Sequence, residues 1–173
     1  MIILGIGNIV QKDDGFGVYA SKYLQKNYLF DDTIKIIDGG VLGINLFNIF
    51  EKNRDILILD TIDIKDAPSS IYLIPSTELS GYGLNSGGAH EIGVLQILDM
   101  LELQGKPIPK STILAIIPKE VTFEISLSDE LKKVFNHYID TALKLLDKEG
   151  ITYKQKESLV SLEEIIDSFK NPS

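Results

Sequence analysis

Short apolar runs alternate with stretches of helical spacing along most of this chain. The first run, residues 2–7, is closed by Gly5 and Gly7 and predicts a buried strand. Residues 17–26 then place Val18, Tyr19, Tyr23 and Leu24 near helical spacing. Further strands are predicted over residues 34–37, 56–59, 71–74 and 113–117. Helices are predicted over 42–50 and over 90–103, the second with a broad apolar face of Ile92, Leu95, Ile97, Leu98 and Leu101. The longest, from about Asp129 to Lys148, is started by Ser126-Leu-Ser128 and stopped by Gly150.

Strands alternating with helices predict an α/β fold, a largely parallel sheet covered on both faces. One link breaks the alternation. Between Asp60 and Ile71 there is only a polar loop with Pro68, too short for a crossover helix, so residues 71–74 should run antiparallel at an edge. Residues 1–149 read as one domain. Residues 150–173 turn Lys- and Glu-rich and read as an appended tail, with a short amphipathic helix over 159–169.

At 173 residues the chain is long enough for one core, and 44% hydrophobic with 24% charged residues is ordinary for a folded domain. Charge narrows the partners. Against 25 Asp and Glu stand 17 Lys and Arg, and the net −8 would repel a phosphate backbone, so nucleic acid is not expected. Without cysteine there is no thiolate site and no cysteine nucleophile, and a metal would need oxygen and nitrogen ligands. No apolar run approaches the roughly 18 residues of a membrane span. Met1-Ile-Ile-Leu4 reads as a strand rather than a secretion signal, which predicts a cytosolic protein.

In open α/β sheets, ligands bind outside the carboxyl ends of the strands. Asp14 follows the first strand, Asp60 ends the run Ile56-Leu-Ile-Leu59, and His90 follows the glycine-rich segment 81–88. Together they form a plausible transition-metal set. Plainer readings compete: Asp13 and Asp14 before Gly15 fit helix capping, and a lone histidine at a helix start fits a surface or capping role. Asp60 is harder to dismiss, because an apolar residue would otherwise continue a buried strand. Asp38, before Gly39 and Gly40, is a further strand-end carboxylate beside backbone open to a ligand, or a cap for the next helix. Segment 81–88 suits a flap or a substrate cradle. His137 reads as structural. Gly5 and Gly7 lack the third glycine of a dinucleotide fingerprint, where Val10 stands, and neither a Gly-x-Ser-x-Gly elbow nor a phosphate-binding Lys loop occurs.

Taken together, Leu4-Gly-Ile-Gly-Asn8, Asp13-Asp-Gly-Phe-Gly17, Asp38-Gly-Gly40, Leu59-Asp60, Ala89-His90 and Ile117-Pro118 through Leu127-Ser128 resemble the hydrogenase maturation endopeptidases, cytosolic proteases of [NiFe]-hydrogenase assembly. The resemblance runs in order from Met1 to about Leu146. It implies a three-layer α/β/α sandwich around a five-stranded, mostly parallel sheet with one antiparallel strand. It also implies removal of a C-terminal extension from the nickel-loaded large-subunit precursor. The positions matching nickel contact are Asp14, Asp60 and His90, and these are also the candidate catalytic residues. Asp14 occupies a place held by Glu in some members and reaches one methylene less far, with Asp13 as a possible substitute.

On this resemblance nickel arrives with the substrate, so few protein ligands with open positions suffice to dock onto it. These residues do not decide whether it also polarises the scissile carbonyl or activates water; recognition is placed first. Asp38, Gly39, Gly40 and segment 81–88 are the candidates for holding the substrate tail. A nickel-sensing adaptor or chaperone without hydrolytic activity would use the same ligands, and a nucleotide-binding α/β protein rests on Gly5 and Gly7 alone.

Overall fold

The computed structural model of the protein describes residues 1–78 and 89–171, with residues 89–93 described by their backbone alone. Segment 81–88 and the side chain of His90 lie outside the described residues. The chain order is β1 (Ile2–Ile6), α1 (Phe16–Asn27), β2 (Tyr28–Phe30), β3 (Lys35–Gly40), α2 (Phe47–Lys52), β4 (Asp55–Thr61) and β5 (Ile71–Pro75). It continues with α3 (Ala89–Leu103), β6 (Lys110–Ile116), α4 (Asp129–Lys148), β7 (Tyr153–Gln155) and α5 (Leu162–Lys170). A five-stranded sheet is ordered β3-β1-β4-β6-β5, and β2 pairs with β7 in a small antiparallel ribbon. Neighbours in the main sheet are parallel except β5, which lies at the edge and pairs antiparallel with β6. The short polar link before β5 dictates this, since no crossover fits into it.

Every residue of β1 is buried, as expected of a central strand covered on both faces. Alternation along β4 then separates two cores. Leu57 and Leu59 pack with Phe16, Tyr19, Leu24, Leu131, Phe135 and Tyr138 under α1 and α4. Ile56, Ile58 and Ile62 pack with Phe50, Val94, Ile97 and Leu101 under α2 and α3. Truncating a buried phenylalanine such as Phe16 to alanine would cost about 3–5 kcal/mol.

Two glycines position the first helix. A Cβ on Gly17 would lie 2.0 Å from the Leu59 carbonyl oxygen and 2.4 Å from that of Ile6, so only glycine lets α1 begin directly over β1 and β4. Gly7 has φ +140°, and a Cβ there would lie 2.0 Å from the Asp14 carbonyl oxygen, so the turn carrying Asp14 rests on bare backbone.

Three expectations change. The helix read over 42–50 opens as a 3-10 turn, Gly43–Leu46, and becomes α-helical only at Phe47, because Gly43 sits at φ +48°, outside α-helical geometry. The third strand runs on to Gly40, so Asp38 lies within β3 opposite Gly5. The tail is no loose appendage: Ile165 and Ile166 of α5 are buried in the α1 and α4 core, and Phe169 meets Tyr19 edge-on at 5.6 Å. Asn27 holds the approach to α5 through both ends of its amide, donating to the Val160 carbonyl at 2.9 Å and accepting from the Val160 N–H at 2.7 Å. Ser161 and Glu164 cap α5 reciprocally. None of the helices, among the described residues, is long and apolar enough to cross a membrane.

Candidate functional site

From β1 the chain leaves toward β3 on one side of the sheet, and from β4 it leaves toward β5 and β6 on the other. The carboxyl ends of β1 and β4 are therefore the point where strand order reverses, where an open sheet forms its crevice. Asp14 follows β1 in a 3-10 turn, Lys12–Gly15, and Asp60 is the penultimate residue of β4. Since β6 starts at the opposite edge, α3 descends from the carboxyl edge, and His90 is the second residue of its first turn.

Asp14 is half-buried and accepts the Asn8 N–H at 3.0 Å through Oδ2. Its Oδ1 faces the Thr61 hydroxyl at 3.5 Å. Asp60 is 1% exposed, and its Oδ1 accepts the Thr61 N–H at 2.7 Å. One threonine thus links the two strand-end carboxylates: its backbone to Asp60, its side chain to Asp14. By strand alternation Asp60 shares the sheet face of Ile58 and Ile62, the face covered by α3.

Neither aspartate of the pair caps α1, whose N-cap is Gly15 with no side-chain bond. Asp13 instead is fully buried and accepts four hydrogen bonds: the Lys119 and Glu120 N–H groups at 3.0 Å each, the Ser128 N–H at 2.6 Å and the Ser128 hydroxyl at 2.7 Å. With both oxygens so committed, Asp13 ties the β1–α1 turn to the β6–α4 loop and cannot stand in for Asp14. Ser128 is in turn the N-cap of α4.

Beneath the crevice, Tyr138 of α4 is completely buried and donates to the Leu114 carbonyl at 2.5 Å. Burial first, then the Asp60 charge, hold its phenol well above the usual tyrosine range, so it stays neutral under the carboxylate. In the sequence Tyr138 shows only the spacing of a core residue, in phase with Leu131 and Phe135. Thr61 likewise carries no signal beyond adjacency to Asp60.

Asp38 is exposed and accepts the Gly40 N–H at 3.0 Å, an Asx-type turn that caps no helix. Gly39 is the extra residue of a bulge between β1 and β3, and the Gly40 carbonyl accepts from Gly7 N–H at 3.0 Å. This puts the Asp38-Gly-Gly40 turn beside the Asp14 turn on the same edge. His137 lies exposed on α4. Among the described residues no group of three His, Asp or Glu side chains gathers at metal-binding distances, and the side chain of His90 is not among the described ones.

The family model described as "Hydrogenase maturation protease" matches residues 18–145. The "Hydrogenase 2 maturation protease" of Escherichia coli K12 is 25% identical over 160 residues, 92% of this chain and 98% of that protein. The "Hydrogenase expression/formation protein HupD" of Thiocapsa roseopersicina is 26% identical over 159 residues, 91% of this chain and 72% of that protein. Among solved structures, the hydrogenase maturating endopeptidase HybD from E. coli superposes with a TM-score of 0.82 at 25% identity, covering 90% of this chain and 96% of its own. The [NiFe] hydrogenase maturation protease HybD from Thermococcus kodakarensis has a TM-score of 0.66 at 25% identity, covering 83% of this chain and 97% of its own.

Proposed function

The chain belongs to the hydrogenase maturation protease family and is an endopeptidase of hydrogenase maturation, and from that premise we propose that it removes the C-terminal extension of a [NiFe]-hydrogenase large-subunit precursor in a nickel-dependent reaction in the cytosol. The observation that carries the reading is the Asp14–Thr61–Asp60 linkage at the reversal point of the sheet. Two carboxylates and an imidazole offer the oxygen and nitrogen ligands that suit a borderline divalent cation.

In this reading nickel is brought by the substrate, and Asp14, Asp60 and His90 contact it there. Few protein ligands favour a metal already held by another protein, since open coordination positions are needed for the donors that come with it. The metal then acts as a checkpoint, because only a loaded precursor completes the contact. Asp38, exposed on the neighbouring turn, holds the extended substrate tail together with the backbone of Gly39 and Gly40 beside it.

The test is to incubate the protein with nickel-loaded and metal-free precursor and follow loss of the C-terminal peptide by intact-mass measurement. Release from the loaded precursor only, abolished by Asp60→Ala and by His90→Ala, is the expected result. Unchanged cleavage by both variants would remove the proposed site, and a stable complex without mass loss would make the protein an adaptor for the same partner.

A further inference from the structure

The β6–α4 loop is pinned to the Asp14 turn from several directions. Besides the bonds from Lys119 and Glu120 to Asp13, the Glu124 N–H donates to the Val10 carbonyl at 3.0 Å and the Lys12 N–H donates to the Glu124 carbonyl at 2.8 Å. Lys12 adopts φ +50°, uncommon for a residue with a side chain, and its ammonium meets Glu120 at 2.7 Å and Glu124 at 3.2 Å. A loop braced in this way would be expected to turn its apolar residues inward. Ile117, Ile125 and Leu127 do so, but Phe123 is 90% exposed and Val121 52% exposed.

We infer that this loop is a docking site beside the catalytic crevice, with Phe123 as an anchor that enters an apolar recess with a basic rim on the body of the protein substrate. Continuity with the crevice supports this occupant, because Asp13 holds the loop and is the immediate neighbour of Asp14. An endopeptidase acting on a folded precursor needs contacts beyond the few residues around the cleaved bond, and a rigid aromatic presented on fixed backbone supplies them at small ordering cost. Charge supports the chemistry of the rim. Glu120 and Glu124, which flank Phe123 in the chain, share the single ammonium of Lys12, and Lys119 pairs with Glu130, so the ion pairs of the loop leave one negative charge over, which favours a positive surface.

The inference rests on the proteolytic reading for the identity of the partner, and binding measured apart from cleavage separates the two. The probe is nickel-loaded hydrogenase large-subunit precursor, with Kd read by interferometry at low and high salt and KM and kcat read from peptide release. Phe123→Ala is expected to raise Kd and KM about thirtyfold, the scale of losing one interface anchor, with kcat within twofold of wild type. Phe123→Leu should fall between, and wild-type binding should weaken as salt is added. Because Phe123 is almost fully exposed, the fold should survive both changes. A Phe123→Ala Kd within twofold of wild type overturns the proposal, as do wild-type binding insensitive to salt and a wild-type dimer that Phe123→Ala dissolves. Binding that depends on Phe123 without peptide release supports docking and counts against the proteolytic reading alone.

Discussion

Asp13 accepts both the backbone N–H and the hydroxyl of Ser128, 115 residues away, at 2.6 and 2.7 Å. The carboxylate next to the candidate metal contact is thus spent on joining the first turn of the chain to the cap of the last long helix. Asp14 is placed by that joint. Its turn can shift only if four hydrogen bonds to Asp13 shift with it.

Replacing Asp13 should therefore damage stability before chemistry. Asp13→Asn keeps the shape but sets an amide NH2 against N–H donors, and Asp13→Ala leaves all four donors without their acceptor. Breaking one side of a buried charged network costs about 3–5 kcal/mol. Urea unfolding should show a loss of that size for Ala and a smaller one for Asn. A change below about 1 kcal/mol for Ala would mean that the joint is dispensable.

The C-terminal helix should contribute to the stability of the whole fold. Ile165 and Ile166 are 1% and 2% exposed in the core beneath α1 and α4. Ile166→Ala should lower the unfolding free energy by about 2–5 kcal/mol. The check is a single denaturant transition shifted as a unit; a separate early transition for the tail, with the main one unmoved, would count against this.

Elements with strong periodicity were legible in the sequence, and so was the sheet order at its antiparallel edge. The long helix Asp129–Lys148 and the antiparallel strand from Ile71 follow from patterning and from a link too short to cross over. The ribbon of β2 and β7 was not legible, because three-residue strands such as Tyr28–Phe30 carry too little alternation to register and pair with a partner more than 100 residues on. At the site, Asp60 stood out as a charge where a buried strand would continue. The opposite roles of Asp13 and Asp14 could not be read, since adjacent identical side chains differ only in which way the backbone turns them, and that is set by Gly7 and Ser128. Phe123 was silent because it sits in the alternating run Val121-Thr-Phe-Glu-Ile-Ser-Leu127, where a period of two marks all four apolar positions alike and does not say that Leu127 is buried while Phe123 stays outside.

Alkaline pH should weaken the fold through its buried tyrosines. Burial pushes the Tyr19 phenol up to about 12, while its hydroxyl donates to the Ile9 carbonyl at 3.2 Å. In the unfolded chain the same group titrates near 10. Above that pH the unfolded state releases a proton that the folded state retains, so stability is intact below about pH 10 and falls as pH rises toward 12. Tyr19→Phe should be about 1 kcal/mol less stable at pH 8, from the lost hydrogen bond, and that gap should narrow or reverse by pH 11.5. Parallel pH profiles for the two proteins would sink the attribution.

Thr61 offers the sharpest separation of geometry from folding. Its N–H bond to Asp60 belongs to the backbone and survives any substitution that keeps the strand, whereas its contact with Asp14 needs the hydroxyl. Thr61→Val keeps the branched shape that β4 accommodates, and the hydrogen bond it deletes is long, so unfolding free energy should change by less than about 1.5 kcal/mol. If Asp14 and Asp60 act together on one metal, loosening Asp14 should lower peptide release from nickel-loaded precursor about tenfold, the scale on which partners behind a metal ligand matter. Thr61→Ser, which restores the hydroxyl, should recover most of it. Equal activity of Val and wild type would show that the two carboxylates need no common tether, and a loss in Ser equal to that in Val would place the effect in strand packing instead.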